Sequence, residues 1–358
     1  MILGIHKQVL ALAVFLIIGE ASAQVGGRAS YDFLYLTDNA RAAALGGNIV
    51  SSSHGDVNMF LHNPASLDSV KANQYSVNFM PFYGDVNRSS FAGSLPSEKF
   101  NNWGIGVEYM GYGTFDSYDQ SGRDLGEFSA REYAITVGQS HRIGPFSIGA
   151  NLKLVGSHIA NYNAFAVMVD AGGLYHHPEH DLHIGLSMRN FGFSLKNHTE
   201  ENSTIVPSDV QLGVNYKLEH MPLRVYMNVQ HLNTYDVQYL DPNRDTFINE
   251  EGDEVPEEKA LTEQIFRRFS FGGEFIFSDH FHLRVGYNHM RRKEMRLEEA
   301  SGGAGFSVGA RVSVNKFTFD YARSFYHIAG GVSSLTLMVA LDEQWKRKKG
   351  GESQVDFD

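Results

Sequence analysis

Along most of the chain apolar and polar residues take turns. Phe269, Phe271, Phe275 and Phe277 are interleaved with Ser270, Gly272, Glu274 and Ile276. Phe281, Leu283, Val285 and Tyr287 are interleaved with His282, Arg284, Gly286 and Asn288, and Phe306, Val308, Ala310, Val312 and Val314 with Ser307, Gly309, Arg311 and Ser313. Successive side chains of a β-strand point to opposite faces, so each run has one apolar and one polar face. Fourteen such segments are predicted, at 74–83, 88–95, 102–110, 130–140, 146–155, 164–175, 182–193, 208–218, 223–234, 265–277, 281–290, 303–314, 317–326 and 332–341.

The connections sort by length. With the first strand running outward, those on the inward side are 96–101, 141–145, 176–181, 219–222, 278–280 and 315–316, none longer than six residues. The outward side includes 111–129, 195–207, 235–264 and 291–302. A soluble multi-sheet protein alternates too, but it does not separate short turns from long loops in this way. The asymmetry and the even strand number predict an all-β fold, a transmembrane outer-membrane β-barrel of about 14 antiparallel strands. On that reading 73–341 is the barrel and 342–358 a periplasmic C-terminal tail. The lipid-facing positions include Leu283 and Val308. Inward neighbours such as Asn288 and Ser307 are expected to tolerate lysine better.

The N-terminus changes the picture twice. His6 and Lys7 precede an apolar run of eleven residues, Val9–Gly19, and then Ala21-Ser22-Ala23. This is the pattern of a secretory signal peptide, 1–23, cleaved after Ala23. Eleven apolar residues are too few to span about 30 Å of hydrocarbon as a helix. Residues 31–67 then lack alternation and are rich in small residues and glycine, which suits a compact segment packed inside something, and 24–72 is taken as that N-terminal segment.

Composition mainly excludes. With Cys 0 there is no disulfide scaffold, cysteine zinc site, iron–sulfur cluster or cysteine nucleophile. A net charge of −11 argues against nucleic acid as a general partner. No Gly-x-Ser-x-Gly elbow, P-loop or His-Glu-x-x-His is present. No catalytic constellation and no cofactor are expected.

The run Tyr31–Ser51 (YDFLYLTDNARAAALGGNIVS), followed by Asn63-Pro64-Ala65-Ser66-Leu67, resembles the start of the Bacteroidetes outer-membrane proteins of the PorV/PorQ family, which are similar to fourteen-stranded FadL-type barrels. The resemblance continues through Asp170–Gly192 and Gly303–Gly330 and is closest to PorQ-like members of the type IX secretion system. It implies that Arg41, Gly46, Gly47, Asn63, Pro64 and Ala65 belong to an N-terminal hatch inside the lumen. It also implies a non-enzymatic component of the outer membrane of a Gram-negative, Bacteroidetes-like bacterium. Such a component holds a PorZ-like surface protein of an attachment complex that also contains PorU- and PorV-like proteins. The alternative is a FadL-like channel for uptake of hydrophobic compounds.

Three clusters of candidate chemistry remain. Alternation turns Arg224, Glu274, Arg284, Arg311 and Asp320 inward, with Glu274 expected near Arg284 and Arg311 near Asp320. His176, His177, Glu179, His180, Asp181 and His183 are plausible metal ligands, but they fall at a turn around Pro178 and are expected to be a solvated turn. The longest outward connection carries Tyr239, Asp241, Asp245, Phe247, Ile248, Glu250, Glu251, Asp253 and Glu254. Its acidic run with apolar anchors is a candidate docking surface for a basic partner. Asp241, Asn243 and Asp245 also resemble the opening of a calcium loop, but Thr246 and Gly252 stand where glycine and glutamate are required.

Overall fold

The computed structural model describes residues 30–37, 39–97, 103–199, 205–237, 246–248, 254–256, 260–295, 302–327 and 330–341. The expected signal peptide 1–23 and the expected tail 342–358 lie outside them. The strands are β1 (Gln74–Pro81), β2 (Asn87–Leu95), β3 (Trp103–Tyr118), β4 (Asp124–Ile143), β5 (Phe146–Ile159), β6 (Tyr162–His176), β7 (Leu182–Lys196), β8 (Asp209–Lys217), β9 (Leu223–Val229), β10 (Thr246–Ile248), β11 (Glu254–Pro256), β12 (Phe269–Ser278), β13 (Phe281–Asn288), β14 (Phe306–Val314), β15 (Phe317–His327) and β16 (Gly330–Ala340). β10 and β11 form a separate two-stranded ribbon. The other fourteen make one closed antiparallel barrel, in which β9 pairs with β12 and β1 closes on β16 from Gln74↔Ala340 to Phe79↔Leu335.

Alternation decides which face is which. Val77, Phe91, Ile135, Leu152, Leu186, Phe271, Leu283, Val308 and Leu337 are exposed on the outside. Their polar neighbours Asn78, Ser90, Thr136, Asn151, Ser187, Ser270, Arg284, Ser307 and Thr336 are buried. An exposed apolar band around a closed barrel with a polar interior is the pattern that lipid on the outside requires.

Several boundaries differ from expectation. β3 and β4 stay paired as far as Tyr118↔Asp124, so the expected 111–129 loop is reduced to residues 119–123. β5 and β6 likewise continue to Ile159↔Tyr162. In these extensions the backbone ladder persists while apolar alternation fades, because beyond the apolar band neither face has to be hydrophobic. On the other side β9 stops at Val229 and β12 starts at Phe269, preceded by a helix, Leu261–Phe266. A second helix, His289–Glu294, follows β13 because the Asn288 side chain accepts from Arg291 N and caps it.

Residues 30–37 and 39–72 lie within the barrel. They form 3-10 turns at Asp32–Tyr35, Val57–Leu61 and Pro64–Ser69 and a helix at Ala40–Ala44. Three of the four start at an Asx cap: Asn39, Asp56 and Asn63 accept from the backbone N–H groups of Ala42, Asn58 and Ala65. The helix rests on β13–β16, the Val57–Leu61 turn on β1–β3 and the Pro64–Ser69 turn on β4–β6. The wall supplies the polar groups that so short a helix cannot satisfy itself. Ala40 N donates to Thr336 Oγ1, while Ser307 Oγ and Asn288 Nδ2 donate to the Ala44 and Gly46 carbonyls at 3.0 Å each. Asn288 and Ser307, expected to accept lysine better than the lipid-facing positions, are thus buried against the segment and hydrogen-bonded to it.

Candidate functional site

Inside the barrel, toward the end with short turns, the wall carries a belt of charges. Glu274 on β12 stands opposite Arg224 on β9 and Arg284 on β13 in the strand register, and Arg311 on β14 stands opposite Asp320 on β15. Arg284 Nε donates to Glu274 Oε1 at 2.8 Å, and its Nη1 reaches Asp320. Arg311 grips the Asp320 carboxylate with Nε and Nη2, both at 3.0 Å, which is the fork geometry guanidinium favours. Arg224 links Glu274 (3.3 Å) to Asp181 (2.8 Å) in the β6–β7 turn.

The interior segment enters this belt with one charge of each sign. Arg41 lies 3.7 Å from both Glu274 and Asp56 and donates to the Tyr226 hydroxyl at 3.1 Å. Asp56 in turn accepts from Arg311 at 3.3 Å. Arg41, Arg224, Arg284 and Arg311 are thereby balanced by Asp56, Asp181, Glu274 and Asp320. Relative exposures of Arg41, Asp56, Glu274, Arg284 and Asp320 are 1, 2, 0, 1 and 2 %. Charges so removed from water persist only when paired. The Arg41 guanidinium is held above its usual range: burial opposes the charge, and Tyr226, Glu274 and Asp56 more than restore it.

The other expected residues take different parts. Asn63 caps its turn through Oδ1 and donates from Nδ2 to Val50 O (2.7 Å), Gly173 O and Leu186 O, so it ties the segment to β6 and β7. Wall glycines make this approach possible. A Cβ on Gly172 would lie 2.0 Å from Asn63 Oδ1, and one on Gly149 2.5 Å from the Pro64 carbonyl carbon. Gly46 and Gly47 take φ of 100° and 107°, the left-handed turn that ends the Ala40–Ala44 helix. Of the outward loop, Tyr239, Asp241, Asp245, Glu250, Glu251 and Asp253 lie outside the described residues. Phe247 and Ile248 lie on β10, and Ile248 pairs with Glu254 on β11.

The histidine-rich turn divides. Glu179 and His180 face solvent as expected, with His177 half-buried beside them. Asp181, His183 and His176 do not: they turn inward and meet the interior segment, which corrects the fully solvated reading. His54 Nε2 lies 3.4 Å and His183 Nε2 3.0 Å from Asp181 Oδ1, while His176 Nδ1 lies 3.1 Å from His183 Nδ1. Asp181 is held below the usual carboxylate range by hydrogen bonds from His183, His54 and Arg224.

Other pairs went unread in the sequence although alternation places them inward. Lys153 binds Asp170 (2.9 Å) and Asn190 (2.8 Å), and Arg88 binds Glu108 (2.6 Å) and the Phe33 carbonyl (2.7 Å). His54 and Asp56 carry no periodic signal, since both lie in the non-alternating segment. At the end bearing the long connections a cavity of about 190 Å³ opens between Tyr35, Asn48, Gln230, His231, Met290 and Tyr326.

No protein-family model and no curated protein matches the chain. Solved structures do match. A deltaS2S3 mutant of the TodX monoaromatic hydrocarbon channel superposes with a TM-score of 0.52 at 12% identity, over 85% of this chain and 98% of that one. The deltaS2 mutant of the same channel gives 0.49 at 12% identity, over 84% and 97% of the two chains. A FadL homologue of Pseudomonas aeruginosa gives 0.47 at 11% identity, over 86% and 99%. The first of these likenesses shows that this chain shares the fold of that channel.

Proposed function

We propose that this chain is a sealed, non-enzymatic barrel of the Gram-negative outer membrane that anchors a protein partner at the cell surface. The observation that carries this reading is the belt: inside the barrel, toward the end with short turns, Arg41, Asp56, Glu274, Arg284 and Asp320 are ion-paired and all but inaccessible to water. A passage for hydrophobic compounds needs an apolar path; a scaffold does not. The resemblance of Tyr31–Ser51 and Asn63–Leu67 to the PorV/PorQ family falls on the segment that builds this seal. It supports a place in a type IX secretion attachment complex, with a PorZ-like protein as the partner. The acidic connection between β9 and β12 is the proposed docking element.

The test is co-purification from native outer membranes. Full-length barrel is expected to recover one surface protein of the attachment complex. Replacing 241–258 with a short Gly-Ser linker is expected to lower that recovery while heat-modifiable mobility persists. Unchanged recovery at low and high salt would remove the loop from the proposal.

A second reading, uptake of hydrophobic compounds, is favoured by the likeness to a hydrocarbon channel and by the cavity between Tyr35 and Met290. Proteoliposomes distinguish the two. Toluene entry above that of empty vesicles supports the channel, and its absence together with partner recovery supports the anchor.

A further inference from the structure

We propose that His54, Asp181 and His183 form a binding site for a divalent first-row transition ion that fastens the interior segment to the barrel wall at the end with short turns. Their ligand atoms all lie within 4.8 Å of one another. Zinc bonds of about 2.0–2.2 Å in a tetrahedral shell put neighbouring donors about 3.3–3.6 Å apart. The spacings of 3.4 Å from His54 Nε2 to Asp181 Oδ1 and 3.0 Å from His183 Nε2 to the same oxygen need adjustments of only a few tenths of an ångström. Two imidazoles and a carboxylate are an ordinary donor set for such an ion, with the fourth position left to water. The three side chains are 13–35 % exposed, so an ion has access.

The surroundings supply what metal-bound groups usually have behind them. His183 Nδ1 faces His176 Nδ1 at 3.1 Å and Ser53 Oγ at 3.2 Å, either of which accepts its proton and leaves Nε2 for the metal. His176 Nε2 in turn donates to Ser147 Oγ at 2.9 Å, which leaves its Nδ1 as the acceptor that His183 needs. Arg224 holds the second oxygen of Asp181 at 2.8 Å, so Oδ1 remains turned toward the two rings. Without an ion, protons bridge these groups; an ion displaces them, and the site is independent of what the barrel anchors or passes. Its consequence is mechanical. His54 belongs to the interior segment, His183 to β7, and Asp181 to the turn between β6 and β7, so one ion joins all three elements.

The test uses the mature full-length barrel in detergent, without a polyhistidine tag, titrated with zinc against a chromophoric chelator. One equivalent is expected to bind. His54→Gln and His183→Gln are each expected to weaken binding by more than the roughly 10–100-fold typical of outer-shell changes. The His177→Ala/His180→Ala double variant removes imidazoles of the same turn and is expected to bind as wild type does. Zinc is also expected to slow hydrogen exchange in residues 48–58 relative to protein in EDTA. No zinc uptake by wild type would overturn the site, as would loss of binding in the double variant. Full retention in folded His54→Gln or His183→Gln would do the same. If those two variants fail to fold, the double variant and the wild-type exchange data still decide.

Discussion

The interior segment is held in two ways by two halves of the same wall. Toward β3–β6 the contact is mainly apolar packing, in which Tyr31, Phe33 and Leu34 meet Met110, Ala134, Val155, Ala164, Ala166 and Met168, with uncharged ties such as Asn151 Nδ2 to Phe60 O at 3.0 Å. Toward β9 and β12–β15 it is ionic, through Arg224, Glu274, Arg284, Arg311 and Asp320. The halves also differ in height. β3–β6 have 14–20 residues each, whereas β9 and β12–β15 have 7–11. Apolar packing is non-directional and grows with area, so it suits the tall wall. Guanidinium–carboxylate pairs are directional and work at a few points, so they can fix the orientation of the segment against a low one. Area retains the segment and charge sets its register.

Mutations separate the two mechanisms. The largest loss is expected from Glu274→Ala, which strands Arg41, Arg224 and Arg284 in a dry interior; removing one partner of a buried pair costs about 3–5 kcal/mol. Urea unfolding followed by tryptophan fluorescence reads the loss. Hydrogen exchange should rise first around Arg41 and Asp56 and later around Phe33. Simultaneous opening of both regions would mean that the halves are not separable. Leu34→Ala is the apolar counterpart, expected to cost about 2–5 kcal/mol, with the exchange order reversed. Leu283→Arg, on the lipid side of the ionic half, adds a charge outside the belt and should cost about 2–4 kcal/mol at mid-membrane. It should hinder insertion into vesicles without altering exchange within the segment once inserted. The smallest effect is expected from Glu263→Gln, in the helix Leu261–Phe266, whose pairs with Arg267 and Lys293, both at 3.1 Å, and with His289 at 3.6 Å lie near the surface. Surface pairs of that kind contribute about 0–1 kcal/mol each, and thermal unfolding should move little.

The outer face was legible in the sequence because lipid imposes period two on it; all fourteen barrel strands follow from that rule. Legibility failed wherever the rule stops applying. Thr114–Tyr118 and Asp124–Ser129 remain strand without an apolar face, so they read as loop. On the inner face, Arg311–Asp320 and Glu274–Arg284 could be read because the partners lie on adjacent strands. The pairs of Arg41 with Glu274 and of His54 with Asp181 could not. Their partners are separated by more than a hundred residues, and one member of each lies in a segment with no periodicity to fix its direction. The wall glycines were visible only as composition; their role depends on the backbone of Asn63 and Pro64 lying against them.

The closure of β1 on β16 bears on the order of assembly. The interior segment ends at residue 72, one residue short of the residue that precedes β1, and β1 pairs with β2 on one edge and with β16 on the other. The segment is therefore leashed by a few residues to one lip of the seam through which the barrel shuts. Once that seam is zipped, the gap between the strands can no longer admit Arg41 or Phe60, so capture of the segment must precede or accompany zipping. Biogenesis then has a single committing event, in which the last strand to leave the assembly machinery both completes the cylinder and locks its contents inside.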